Sequence, residues 1–173
     1  MRLDDGSEAT VRFLTEDDAG ALADMFARLS YDTRKFLYDD VTDRRVVEGW
    51  TRDIDPDKAL PVVAEVGGRI VADATLHRRQ FGPLRHVGRV RVVVLEEWQG
   101  RGIAGALVRM LEEIARETGL LVLSCMLVKG EEDGAIRGLE AFGFERAAEL
   151  PGYIMDPEGN VFDAVLLIKR LEE

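Results

Sequence analysis

Cysteine is nearly absent. Cys125 is the only one among 173 residues, so no internal disulfide can form and a reducing cytoplasm is the simplest setting. Histidine is almost as scarce. His77, His86 and Cys125 are the only soft metal ligands and show no ligand spacing, so no metal site is expected. Long apolar runs are missing too; no stretch approaches the roughly 18 residues of a membrane span. Met1 to Thr10 carries Asp4, Asp5 and Glu8 without an apolar run, so neither a secretory signal nor a membrane partner is expected. Cations are in deficit, 23 Lys and Arg against 33 Asp and Glu, for a net charge of −10. Nucleic acid is therefore not expected as a partner, because phosphate binding needs clustered cations. The acidity is compatible with an amine substrate and equally with a surface kept acidic for solubility. Repeats, low-complexity tracts and linkers are also lacking, and the length fits one domain over 1–173.

What is present is a patterned core, with 46% hydrophobic residues. Thr10 to Phe13 reads as a strand. Thr15, with Asp18 three residues on, caps a helix carrying Leu22, Phe26 and Leu29 and ending near Ser30. Thr33 to Tyr38 reads as a second helical turn. Asp43 caps a third helix with Val46, Val47 and Trp50 inward. Leu60 to Val66 and Arg69 to Leu76 flank Gly67-Gly68, a hairpin signal because both turn residues tolerate positive φ. Val87 to Leu95 is the strongest strand and Gly102 to Glu117 the strongest helix, with Ile103, Leu107, Met110, Leu111 and Ile114 on one face. Leu120 to Val128 reads as a strand buried on both faces, with Cys125 a core residue. Gly134 to Phe142 is a short helix stopped by Gly143. Phe144 to Leu150 is a strand, Leu150 to Asn160 a loop and Val161 to Ile168 a last strand. The order implies a mixed α/β sheet with helices on both faces and one parallel, right-handed crossover from Val87 to Val128.

The informative stretch is the turn Gln99-Gly100-Arg101-Gly102-Ile103-Ala104-Gly105, between the strongest strand and the strongest helix. The first amides of a helix lack intrahelical partners and the macrodipole makes that end electropositive. Glycines let the backbone approach a bulky anion, and a pyrophosphate matches such a nest. Arg101 adds a cation. Gly100, Gly102 and Gly105 also spell the dinucleotide fingerprint, which would make this a nucleotide-binding oxidoreductase domain. Against that, Leu95 to Gln99 separate the strand from the glycines, and the stretch from Gly119 to Gly130 lacks the acid that holds a ribose.

With Gln99, Gly102 and Ala104 at the positions of a Q/R-x-x-G-x-G/A motif, and Val92-Val93-Val94 ending the preceding strand, the sequence resembles the GNAT superfamily of N-acetyltransferases. The likeness extends over almost the whole chain. The regions Phe36 to Tyr38, Arg85-His86-Val87 and Asp156 to Asp163 resemble a bacterial branch acting on proteins or small amines. The resemblance implies a mostly antiparallel sheet of about six or seven strands. It also implies acetyl-CoA as co-substrate, and an amine-bearing small molecule or protein as acceptor. Main-chain amides from Gln99 to Gly105 would hold the pyrophosphate of CoA. Val92, Val93 and Val94 would hydrogen-bond the pantetheine arm. A homodimer is compatible with it.

Three departures from the family stand out. Arg89 occupies the place of a carboxylate that acts as general base in many members. Leu139 replaces a tyrosine that protonates the leaving thiolate. Glu132 replaces an asparagine near the coenzyme. The catalytic residues are therefore unassigned. Glu96, Glu97, His86, Asp73, Tyr153 and Asp163 are the substitutes the sequence offers for the base, each with a plainer structural role. The departures also motivate a competing reading, a CoA-binding or sensing module without chemistry.

Overall fold

The computed structural model describes residues 1–171. Its frame is a seven-stranded sheet in the order β1-β2-β3-β4-β5-β7-β6, formed by β1 (Ala9–Phe13), β2 (Ala59–Val66), β3 (Arg69–His77), β4 (Val87–Val94), β5 (Val122–Val128), β6 (Glu145–Met155) and β7 (Val161–Arg170). Every neighbouring pair is antiparallel except β4 with β5. That exception follows from the connection. A long helix, α4 (Ile103–Glu117), carries the chain back before β5 begins, and such a return makes the joined strands parallel.

Local chemistry sets the element ends. Thr15 and Asp18 form a capping box ahead of α1 (Ala19–Ala27). The Ser30 hydroxyl caps α2 (Tyr31–Arg34), and Asp43 accepts from the Arg45 N–H to start α3 (Arg44–Gly49). The helical turn expected at Thr33 to Tyr38 thus begins earlier, because Ser30 supplies the cap. Gly67 and Gly68 join β2 to β3 at φ 56 and 77, the left-handed pair a tight hairpin needs. The last helix, α5 (Asp133–Ala141), ends before Gly143.

The core lies on both sides of the sheet. In β4 the odd residues Arg89 and Arg91 lie beneath the rings of Tyr38 and Trp50. The even side is closed differently: a Cβ on Gly88 would meet Leu76, Leu120 and Leu123. Glycine is needed there for packing. Helix α4 rests on β3 and β4 with Ile103, Leu107 and Leu111 buried. As expected for an amphipathic helix, Met110 and Ile114 are only partly buried at the margin.

Two expectations need correction. β5 is not buried on both faces. Leu123 and Cys125 are buried on one face, but Ser124 and Met126 on the other are half-exposed. The span Leu150 to Asn160 is not all loop either. β6 continues to Met155 with a shift of register between Leu150 and Ile154. Pro151, which has no N–H to give a ladder, sits inside that shift. Only the turn after Met155 remains, closed by the Asp156 carboxylate on the N–H groups of Glu158 and Asn160.

Candidate active site

The parallel pair β4 and β5 comes apart. Its register covers only Val87 to Arg89 against Val122 to Ser124, although both strands run on. Beyond Arg89 the sheet therefore opens as a wedge. The Leu95 N–H bonds the Val71 carbonyl, which fixes the alternation along β4. The odd residue Val93 turns its main-chain groups to Asp73 on β3, while Val92 and Val94 turn theirs into the wedge. Of the three valines read from the sequence, two present polar groups there. One of those groups is already used: the Val94 carbonyl accepts from Gln99 Nε2 at 3.1 Å.

At the mouth of the wedge the turn into α4 offers a row of donors. Among the described residues, no protein group accepts from the main-chain N–H of Gly100, Arg101, Gly102, Ile103, Ala104 or Gly105; the first satisfied amide is Ala106, on the Gly102 carbonyl. Gly100 and Gly102 stand at φ 73 and 83. That left-handed geometry lets successive N–H groups converge, and the helix dipole adds positive potential. Gln99 differs: its N–H bonds the Glu96 carbonyl, so its contribution is the side-chain tie to Val94. Gly105 has a second duty. A Cβ there would lie 2.3 Å from the Phe142 ring, so its small size seats α4 against the end of α5. Arg101 stacks on Trp98 and pairs with Asp5 at 2.7 Å.

On the far side of the wedge lies a cavity of about 520 Å³, lined chiefly by Tyr38, Arg89, Ser124, Met126, Tyr153 and Leu166. Arg89 and Ser124 are register partners at the last paired position before the strands part. The cavity thus abuts the point where Val92 and Val94 become accessible.

Most of the candidate bases have other work. Glu96 accepts from the Ser30 N–H at 2.9 Å and the Thr33 hydroxyl at 2.7 Å. Partial burial pushes its carboxyl up, but those hydrogen bonds outweigh it and hold it down to about 2. Glu97 pairs with Arg28. Asp163 accepts the Gly152 N–H at 2.9 Å, and the exposed His86 lends its carbonyl to Leu121 and Val122. Asp73 is buried beneath the sheet face near Arg91, where desolvation raises its carboxyl to about 6. Only Tyr153 reaches the cavity. The family's late-helix tyrosine has no substitute, since Leu139 is buried in the core. Glu132 accepts the Val128 N–H at 2.8 Å, at the β5 end of the wedge, and burial raises its carboxyl. Cys125 is buried, its thiol pushed up to about 12, which leaves it inert.

Residues 23–144 match the acetyltransferase (GNAT) family. The chain belongs to that family. It is an acetyltransferase. No curated protein matches the sequence. Among solved structures, the chain is similar to yncA from Salmonella typhimurium, determined with its cofactor acetyl-CoA (22% identity, TM-score 0.80, 96% of each chain). It is also similar to the ribosomal-protein-S5-alanine acetyltransferase of Vibrio fischeri (20%, 0.81, 96% of this chain and 97% of that one). A third likeness is to the ribosomal-protein-alanine N-acetyltransferase of Brucella melitensis (26%, 0.74, 94% and 99%). The mixed, mostly antiparallel sheet is the fold they share with it.

The cavity is what sequence reasoning missed. Ser124, Met126 and Leu166 come from two strands and carry no motif, and Tyr38, from a loop, was read only as part of a region of family resemblance. The sharper signal was Arg89 in a place where the family's resemblance called for an acid.

Proposed function

We propose that this GNAT chain, acting over 1–173 as one domain, moves the acetyl group of acetyl-CoA to a primary amine. The observation that carries this is the row of unpartnered amides from Gly100 to Gly105 at the mouth of the β4–β5 wedge. Those amides receive the CoA pyrophosphate, with Arg101 as the added cation. The Val92 main chain and the Val94 N–H hold the pantetheine arm as it enters between the strands. The thioester then lies beside β4, facing the cavity that receives the amine.

The neutral amine attacks the thioester carbonyl and forms a C–N bond. The tetrahedral centre collapses with loss of the C–S bond, the nitrogen sheds its proton to solvent, and CoA leaves as thiolate. A thiol has a reference pKa of about 8.5, so its anion departs without an obligatory acid, consistent with Leu139 in place of a tyrosine. The acyl acceptors named for the similar ribosomal-protein acetyltransferases are protein alanines; an amine acceptor is the shared chemistry. A lone, buried Cys125 fits the cytoplasm.

Thermal unfolding with and without acetyl-CoA tests the cradle. A ligand at 100 times its Kd adds about 2.7 kcal/mol. Release of free thiol in the presence of amines tests the transfer. Stabilisation without thiol release on any amine would leave a binding module; no stabilisation at all would remove the proposed site.

A further inference from the structure

The charge of the cavity points to its occupant, given that the proposed function holds. Among the described residues, Arg89 is the only charged residue lining the cavity. It is exposed and enters no ion pair among the described residues. Its guanidinium rests against the Tyr38 ring, 5.7 Å from the centroid, which fixes the plane of its donor fork without using its N–H groups. The nearby side chains on the same sheet face reinforce the sign. Arg91, two residues on, keeps a buried Nε without a hydrogen-bond partner. His77, the register partner of Arg89, is held neutral down to about 4 by burial and by Arg89 and Arg91, which together outweigh the nearby acid Asp39. Asp73, the acid facing Arg91, is sealed under the sheet at 3% exposure. A chain with net charge −10 thus turns a positive face to its acceptor cavity.

A cation at this place repels polyamines and other multiply charged amines. It also favours the neutral, nucleophilic form of any amine held beside it, since a like charge disfavours protonation. What it attracts is a carboxylate, in the paired fork geometry that arginine provides. Apart from Ser124, the remaining lining is Met126, Ile154 and Leu166 with two tyrosine rings, which suits an apolar side chain. Arg89 lies three residues before Val92, about 10 Å along the strand, an interval that the arginine stem and a small molecule span between them. We propose that the acceptor is a free amino acid with an apolar side chain, its carboxylate held by Arg89 while its α-amine attacks the thioester at Val92–Val94. Arg89 thereby binds substrate and replaces a carboxylate base with a cation that lowers the amine's affinity for its proton.

The test uses matched sets: leucine, leucine methyl ester and isopentylamine; phenylalanine, its methyl ester and phenethylamine. Thiol release is followed with the full chain, and acetyl-CoA stabilisation is measured in parallel. The expected result is a kcat/KM for the free acids at least roughly 10-fold above that of their esters and decarboxylated amines. Arg89→Gln raises KM for the acids by roughly 10- to 100-fold, a larger rise than for the esters, which lose only the help that the cation gives to their amine, and acetyl-CoA stabilisation stays intact. Arg89→Lys recovers part of the loss. Esters or plain amines serving as well as the acids, or no acid acetylated by a protein that acetyl-CoA stabilises, overturns the inference alone. Absence of stabilisation by acetyl-CoA would instead strike the proposed function beneath it.

Discussion

The cradle and the acceptor cavity meet at the same parting of β4 from β5, yet they are built on opposite plans. The cradle consists of six consecutive residues and works through main-chain N–H groups, with side chains chiefly kept out of the way. The cavity gathers Tyr38, Arg89, Ser124 and Tyr153 from four separate segments and works through what those side chains carry. A main-chain device tolerates changes of side-chain type but not of bulk or charge at its glycines. Gly102→Asp is therefore the most damaging single change on the cradle side. It forces a side chain into φ 83 and sets a carboxylate where the diphosphate is proposed to bind. Stabilisation by acetyl-CoA should vanish, a loss of roughly 2.7 kcal/mol at 100 times the wild-type Kd. A thermal shift equal to wild type would show that the anion binds elsewhere.

The two plans also differ in their response to pH. Main-chain amides do not titrate, whereas the sheet face beneath the α1–α3 layer carries Asp73 and His77. Burial lifts Asp73 from its usual 3.8 to about 6. The folded state therefore holds a proton that the unfolded chain has lost between about pH 4 and 6. That contribution is fully present below pH 3.8 and is lost as pH rises through 6. His77, held down to about 4, acts in the other sense, losing its contribution as pH falls from 6.5 through 4. Comparing wild type with Asp73→Asn isolates the first effect. The variant should be more stable by about 2–3 kcal/mol at pH 8 and lose that advantage below pH 4. An advantage unchanged across this range in chemical denaturation would mean that Asp73 ionises normally.

The same contrast explains what could be read in advance. A strand, a glycine turn and an amphipathic helix are adjacent in sequence, so the periodicity of Ile103, Leu107 and Leu111 and the glycines at 100 and 102 were enough to predict the turn and helix on which the proposed cradle is built. Within it, the duties of Gln99 and Gly105 were not legible. One depends on where the Val94 carbonyl points, the other on a ring at Phe142, 37 positions away. The cavity was less legible still, because it exists only where a parallel pair separates. The apolar run through β5 looks identical whether or not its neighbour stays beside it, so Ser124 and Met126 read as buried core. β6 was cut short for a similar reason: Pro151-Gly152 signals a turn locally, while pairing with β7 on both sides of it keeps the strand extended.

One side chain ties the two regions together. Glu96 follows β4 into the cradle turn and accepts from Ser30 and Thr33, which start the segment leading to Tyr38. Glu96→Ala should cost about 1.5–3 kcal/mol, the usual range for hydrogen bonds to a charged group. If the tie aligns the cavity, KM for the amine should rise more than KM for acetyl-CoA. Equal changes in both would make Glu96 a generic support. Its low carboxyl adds a pH signature: stability that is present above about 4.5 and lost as pH falls through 2, absent from the variant.

The smallest expected effect tests whether the cradle is purely a main-chain device. Asp5 holds Arg101 at 2.7 Å, so an incoming diphosphate must compete with a carboxylate for that guanidinium. The pair is solvent-exposed, and surface ion pairs contribute little. Asp5→Asn should tighten acetyl-CoA binding by only about 2- to 5-fold, with the gain shrinking as salt screens Arg101. A gain of that size means that the amides of Gly100–Gly105 do most of the holding and Arg101 assists. A far larger gain would shift the principal role to the arginine. Weaker binding would mean that Asp5 orients Arg101 toward the ligand instead of occupying it.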